Sequence, residues 1–197
     1  FLSLLVISVY ALMEISRTKS KMGSSKAATS AHSPLTLEDM YKLFAKKMIN
    51  LSARIVNNPT TAQDIVQDAF ISGHTHIHQF TTETDFGNWL KRVVVNKSID
   101  QLRKKSNATF EIDDATHLVA ETDEISEEPE YEIPTVMQSI AELPDGYRLV
   151  FTLFVFEQYS HNEIAAALNI SEGTSKSQYN RARKKLIQII QSKQIKS

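Results

Sequence analysis

Between Glu111 and Glu132 the chain carries ten acidic residues and no lysine or arginine. A stretch so charged and so poor in large apolar side chains buries too little surface to offset the entropy of ordering, and Pro129 and Pro134 punctuate it. Residues 107–134 are therefore expected to be a largely disordered linker between two bodies, 35–106 and 135–192. Ten of the 23 acidic residues lie in this segment, so the rest of the chain sets all 22 Lys and Arg against 13 Asp and Glu, although the formal net charge is only −1. Two basic bodies joined by an acidic strap carry the electrostatic footprint of nucleic-acid binding.

The second body holds the more specific pattern. Over 159–186, YSHNEIAAALNISEGTSKSQYNRARKKL, Ser160 and Glu163 form a capping box, and Ile164, Ala167 and Leu168 follow at helical spacing. Asn169 tolerates the left-handed conformation of a helix exit, Ser171 can cap a second helix, and Gly173 lies in its first turn. On that helix Ser175, Tyr179, Ala182 and Leu186 make a buried stripe, while Lys176, Ser177, Asn180, Arg181 and Lys184 fall on the other side. This is a helix-turn-helix, whose second helix can offer polar and cationic groups to base edges and phosphates.

Three helices are predicted in the first body. Thr36 and Asp39 open one that buries Met40, Leu43, Phe44, Met48, Leu51 and Ile55, and Asn57-Asn58-Pro59 ends it. Thr61 and Asp64 open the next, which buries Ala62, Ile65, Val66, Ala69 and Phe70 and leaves Asp64, Gln67, Asp68 and Ile71 opposite. Asp64 and Asp68 are like charges four apart, which costs a helix about 0.2–0.5 kcal/mol and points to a basic partner. The third helix, about Asp85 to Lys105, packs Phe86, Trp89, Leu90 and Val93, and presents Arg92, Asn96 and Arg103 on another face. Ahead of it lies the polar loop Phe80-Thr81-Thr82-Glu83-Thr84-Asp85, and such a loop beside a basic helix suits single-stranded nucleic acid. All of this makes an all-α fold of two small helical domains.

Several function classes fall away. The chain has no cysteine, which excludes disulfide frameworks, thiol catalysis and cysteine zinc sites. His74, His76 and His78 would share a face only on a strand, and no carboxylate-rich constellation surrounds them, so no metal or other cofactor is expected. The first thirteen residues are apolar but shorter than the roughly 20 that span a bilayer, so no stable membrane insertion is expected and the place of action is taken as the cytoplasm. Because the chain opens on Phe1, the start is expected at Met13, Met22 or Met40, and residues 14–34 read as unstructured. Four Asn-x-Ser/Thr triplets, from Asn50, Asn96, Asn107 and Asn169, carry no weight without an export signal.

The order of these motifs, TAQDIVQDAF at 61–70, FGNWLKRVVVNKSIDQLRKK at 86–105 and the stretch 143–186, resembles the bacterial extracytoplasmic-function (ECF) sigma factors. The resemblance covers about residues 36–190. It implies a sigma-two domain that binds core RNA polymerase and melts the minus-ten promoter element, and a sigma-four domain that reads the minus-thirty-five element. By the same resemblance, Asp64, Gln67 and Asp68 meet the polymerase, and Thr81, Thr82, Glu83 and Thr84 capture a flipped base. Arg92, Asn96 and Arg103 lie beside the melted strand. Lys176, Ser177, Asn180 and Arg181 enter the major groove, with Thr174 and Lys184 near the phosphates. The linker would thread the polymerase cleft, and an anti-sigma factor is a possible partner. Three positions depart from the family: Ser175 stands where Val is common, Gln178 where a basic residue is common, and Asn169 where Gly is common. A weaker core seat is expected at Ser175 and a lost DNA contact at Gln178. The alternatives are a stand-alone helix-turn-helix transcriptional regulator, which leaves the first body unexplained, and a histidine metalloenzyme, which lacks a ligand set.

Overall fold

Capping residues set most helix ends in the computed structural model, which describes residues 36–106 and 133–194. The expectations for residues 1–35 and for the acidic segment 107–132 lie outside the described residues. Thr36 has extended backbone and its hydroxyl accepts from Asp39 N at 3.2 Å, starting α1, Leu37–Val56. Asn57 ends it in the left-handed region (φ 52°), donating its N–H to Ala53 O. The second helix begins earlier than its expected Thr61–Asp64 box. Asn58 Oδ1 accepts from Thr61 N at 3.0 Å, and Pro59, which lacks an N–H that would be orphaned there, occupies the first turn of α2, Pro59–His76.

A short 3₁₀ turn, Ile77–Gln79, leads to α3, Glu83–Ser106. Its start corrects the expected 80–85 loop and the expected onset at Asp85. Thr82 Oγ1 accepts from Asp85 N at 3.1 Å and donates to its carboxylate at 2.7 Å, so Glu83 and Thr84 are helical. Beyond the acidic segment come α4, Ile133–Ala141, and α5, Asp145–Phe151. The expected linker end at residue 134 is thus corrected too: Pro134 sits in the first turn of α4, where proline costs no helical hydrogen bond. A π-helical turn, Thr152–Phe156, follows α5; then α6, His161–Leu168, and α7, Glu172–Gln194. The described residues contain no strand.

In the first body α1, α2 and α3 bury Met40, Leu51, Ile55, Val66, Phe86, Leu90 and Ile99 against one another. Gly87 lets α3 approach closely: a Cβ there would stand 2.7 Å from the Phe44 ring. Ser52 and Ser98 share a buried hydroxyl–hydroxyl bond of 2.9 Å between α1 and α3. Leu43 corrects the expected stripe, since it is 52% exposed. It shares its row with the exposed Lys47 and Asn50, on the solvent flank of the helix. Leu149, Val150, Leu153, Ile164 and Leu168 of the second body join the same buried cluster. No described helix is long and apolar enough to cross a membrane.

Candidate nucleic-acid interface

The helix-turn-helix forms as its sequence predicts. The Ser160 hydroxyl accepts from Glu163 N at 3.2 Å, and the Glu163 carboxylate accepts from Ser160 N at 2.8 Å. The backbone hydrogen bond, then the hydroxyl one, hold that carboxyl below its ordinary pKa. Asn169 (φ 57°) turns the chain, and Ser171 Oγ accepts from Thr174 N at 2.9 Å to cap α7.

Ser175, Ala182 and Leu186 are buried and seat α7, with Tyr179 half-buried and its ring 4.5 Å from that of Phe154. The serine seat is supported by a bond absent from the sequence argument, because Ser175 Oγ lies 3.0 Å from His161 Nδ1. The His161 ring stacks on Phe154 at 4.5 Å. Burial, followed by the neighbouring Lys176 charge, lowers the pKa of His161.

Opposite the packed stripe, Lys176, Asn180 and Lys184 are exposed and Thr174, Ser177 and Arg181 are half-buried. Lys176 Nζ pairs with Glu172 at 2.7 Å, both partly in water, and the Ser177 hydroxyl donates to Thr174 O. Gln178 is a correction: it is 8% exposed and belongs to the packed side, so its lack of a cation removes no DNA contact.

On α2, Asp64, Gln67 and Asp68 are all exposed, together with Ile71. Lys97 Nζ of α3 stands 3.6 Å from Asp68, a mostly exposed pair that offsets part of the like-charge cost and leaves Asp64 facing solvent beside it. At the start of α3, Thr81, Thr82, Glu83 and Thr84 form an exposed polar rim. Beneath it Phe80 meets Phe86 edge-on at 5.4 Å and Trp89 at 5.5 Å, and His76 lies 5.6 Å from Trp89. Trp89 is half-buried in this cluster, in keeping with a packing role. His76 Nδ1 bonds Ser72 O, while His74 and His78 are exposed, and the described residues hold no group of three side chains suited to a metal ion. Arg92, Asn96 and Arg103 are exposed along α3, and Arg103 Nη2 donates to Leu168 O at 3.2 Å.

One constellation escaped the sequence. Glu157, just past the π-helical turn and 11% exposed, accepts from Arg54 Nη2 of α1 at 3.0 Å and stands 3.0 Å from Lys91 Nζ of α3. Lys91 also donates to Glu157 O at 2.9 Å. Its partners lie 103 and 66 residues away, so no local spacing signals them.

Comparison with known proteins bears on these faces. Residues 40–108 match the family model Sigma-70 region 2, and residues 135–186 match Sigma-70, region 4. The chain is 31% identical over 159 residues to the ECF RNA polymerase sigma factor SigW of Bacillus subtilis (strain 168), covering 75% of this chain and 85% of that protein. It is 29% identical to the RNA polymerase sigma-H factor of Pseudomonas aeruginosa, over 75% of this chain and 82% of that one. Among solved structures, the sigma factor RpoE of Bartonella quintana, in complex with the anti-sigma factor NepR, has a similar fold: TM-score 0.51, 18% identity, 78% of this chain and 96% of that one.

Proposed function

The chain belongs to the ECF RNA polymerase sigma factors, and from that premise we propose how its surfaces divide the work of promoter recognition, melting and transcription initiation. The α2 face of Asp64, Gln67 and Asp68 binds a basic surface of core RNA polymerase. Three exposed polar side chains, two of them acidic, with the exposed Ile71 beside them, suit a docking face whose charge fixes register and speeds encounter. The rim Thr81–Thr84 captures a base from the opened minus-ten element, with the Phe80–Trp89 aromatic cluster as its floor. Arg92, Asn96 and Arg103 follow the single strand from α3. In the second body Lys176, Ser177, Asn180 and Arg181 read the minus-thirty-five major groove, with Thr174 and Lys184 at the phosphates.

The observation that carries this reading is the co-occurrence of both surfaces in one chain. A stand-alone regulator needs only the helix-turn-helix, whereas here a basic helix, a polar rim and an acidic docking face occupy a separate body. The protein works without catalytic chemistry or cofactor of its own and acts in the cytoplasm, where polymerase and promoter are found. An anti-sigma factor is a further partner, supported by the fold shared with a sigma factor solved in such a complex. The test is run-off transcription with core polymerase on a promoter library. Transcripts that depend on the chain and share two spaced elements are expected; none above core alone refutes the assignment.

A further inference from the structure

His161 opens α6 and meets α7 across the turn of the helix-turn-helix. Its Nδ1 lies 3.0 Å from Ser175 Oγ, its ring stacks on Phe154 at 4.5 Å, and the Tyr179 ring meets it edge-on at 5.8 Å. The ring is thus held beside the residue that precedes Lys176. Lys176 itself is engaged: its Nζ pairs with Glu172, one turn back on α7, at 2.7 Å. Both charges act on His161, Lys176 against a proton there and Glu172 for it. The other groups that face the ring carry no charge that titrates near neutral pH. Phe154 of the π-helical turn is apolar, burial raises the pKa of the Tyr179 phenol, and on α6 the Glu163 carboxylate is held by Ser160.

The Lys176–Glu172 pair is largely in water, with side chains 58% and 51% exposed, so it parts readily. When Lys176 swings into the major groove, Glu172 loses its counter-ion as DNA phosphates bring more negative charge to the same turn. A bare carboxylate is unfavourable there, and the one neighbour that can become a cation is the His161 imidazole. All three changes favour a proton on it: the repelling ammonium leaves, the attracting carboxylate stays, and phosphates arrive. The proton comes from solvent. The Ser175 bond survives its arrival, because a hydroxyl accepts from a protonated Nδ1 as well as it donates to a bare one.

We propose that minus-thirty-five binding takes up a proton at His161, which then replaces Lys176 as the counter-ion of Glu172 and leaves that lysine to the DNA. This exchange rests on the assignment of α7 to the minus-thirty-five element. It adds a positioning residue outside the recognition helix and a direction: promoter affinity rises as pH falls. In the free chain burial, then Lys176, holds the His161 pKa below about 6.5, and DNA raises it, so binding tightens across the interval between the two values. A half-unit rise gives about threefold.

The test titrates a labelled promoter fragment, chosen by the run-off selection, with core polymerase loaded with the full chain. Each variant is compared with the parent at the same pH, which cancels the response of core and of the other histidines. Between about pH 8 and about pH 6 the parent should gain about threefold or more over His161→Gln. Glu172→Gln, which frees Lys176 without a proton, should bind more tightly than the parent at about pH 8 and lose that advantage at about pH 6. Circular dichroism checks folding; if His161→Gln unfolds, His161→Phe keeps a ring against Phe154 and cannot be protonated. A role confined to packing would change affinity alike at every pH. A parent-to-variant ratio that stays flat in folded His161 variants, or a Glu172→Gln protein whose profile follows the parent's, overturns the exchange while the sigma-factor reading stands. If core and chain hold no promoter at any pH, that reading fails and the exchange fails with it.

Discussion

Arg148 is 2% exposed, and its guanidinium supports two backbone carbonyls, one five residues back and one 93 residues away. It donates to Leu143 O at 2.7 Å and forks onto Ile55 O at 3.3 and 3.4 Å, with the half-wet Asp145 carboxylate as counter-ion. Ile55 O is among the last four carbonyls of α1, which have no partner within the helix, and a cation there also suits the helix dipole. In Arg148→Met the short, charge-assisted bond is worth about 1.5–3 kcal/mol, and the two long ones add about 1 kcal/mol together. Removing a buried charge offsets part of this, but that gain is full only when the partners are replaced as well, and the carbonyls remain. The net loss should be about 2–4 kcal/mol for Met and about 1–2 kcal/mol for Arg148→Lys, which reaches only Leu143 O. Urea unfolding followed by circular dichroism and Trp89 fluorescence should show the midpoint falling by about 1–2 M for Met with the slope unchanged. A Met variant within about 0.5 kcal/mol of the parent would refute the claim that the guanidinium holds these carbonyls.

Three further outcomes follow from the assigned faces. Asp64→Lys with Asp68→Lys should weaken core-polymerase binding at least tenfold, about 1.4 kcal/mol, in a titration, while stability changes by less than about 1 kcal/mol because the Lys97 pair is exposed. Arg181→Ala should cost about 1–3 kcal/mol and relax preference at one or two minus-thirty-five positions, whereas Lys184→Ala should weaken all sequences alike and lower the salt slope by about one; a promoter library at two salt concentrations separates them. His161 has a lowered pKa when folded, so the unfolded chain binds the extra proton more readily: stability is complete above about pH 6.5 and falls as pH drops toward the folded value. Thermal melts from pH 7.5 to 5.5 should show this decline, and His161→Gln should flatten it.

How much of this was legible depended on the range of the interaction. The helix starts at Thr36 and Ser160 are set by a side-chain bond within three residues and the ends at Asn57 and Asn169 by an asparagine in the left-handed region, and periodicity alone placed Ser175, Ala182 and Leu186 inward. The start of α2 was misplaced because Asn57-Asn58-Pro59 was read only as the end of the first helix, whereas Asn58 also caps the next one and Pro59 suits its first turn. Leu43 and Gln178 lie on the flanks of their stripes, where burial depends on what packs alongside rather than on spacing. Glu157, Arg54, Lys91 and Arg148 meet across 66 to 103 residues, so each reads as an ordinary surface charge until the bodies are folded together. The exposure of Asp64, Gln67 and Asp68 on α2 was legible for the opposite reason, since an exposed helix face keeps the pattern its sequence writes.

Strand opening is the act that separates an initiation factor from a protein that only binds promoters. Permanganate should be applied to a promoter chosen by the run-off selection, with core polymerase alone and with core plus the chain. Reactive thymines across the minus-ten element are expected only when the chain is present, and they should fade when Thr81–Thr84 are replaced by Gly and Ala although core still binds. Firm binding of chain, core and promoter with no reactive thymine would contradict the account.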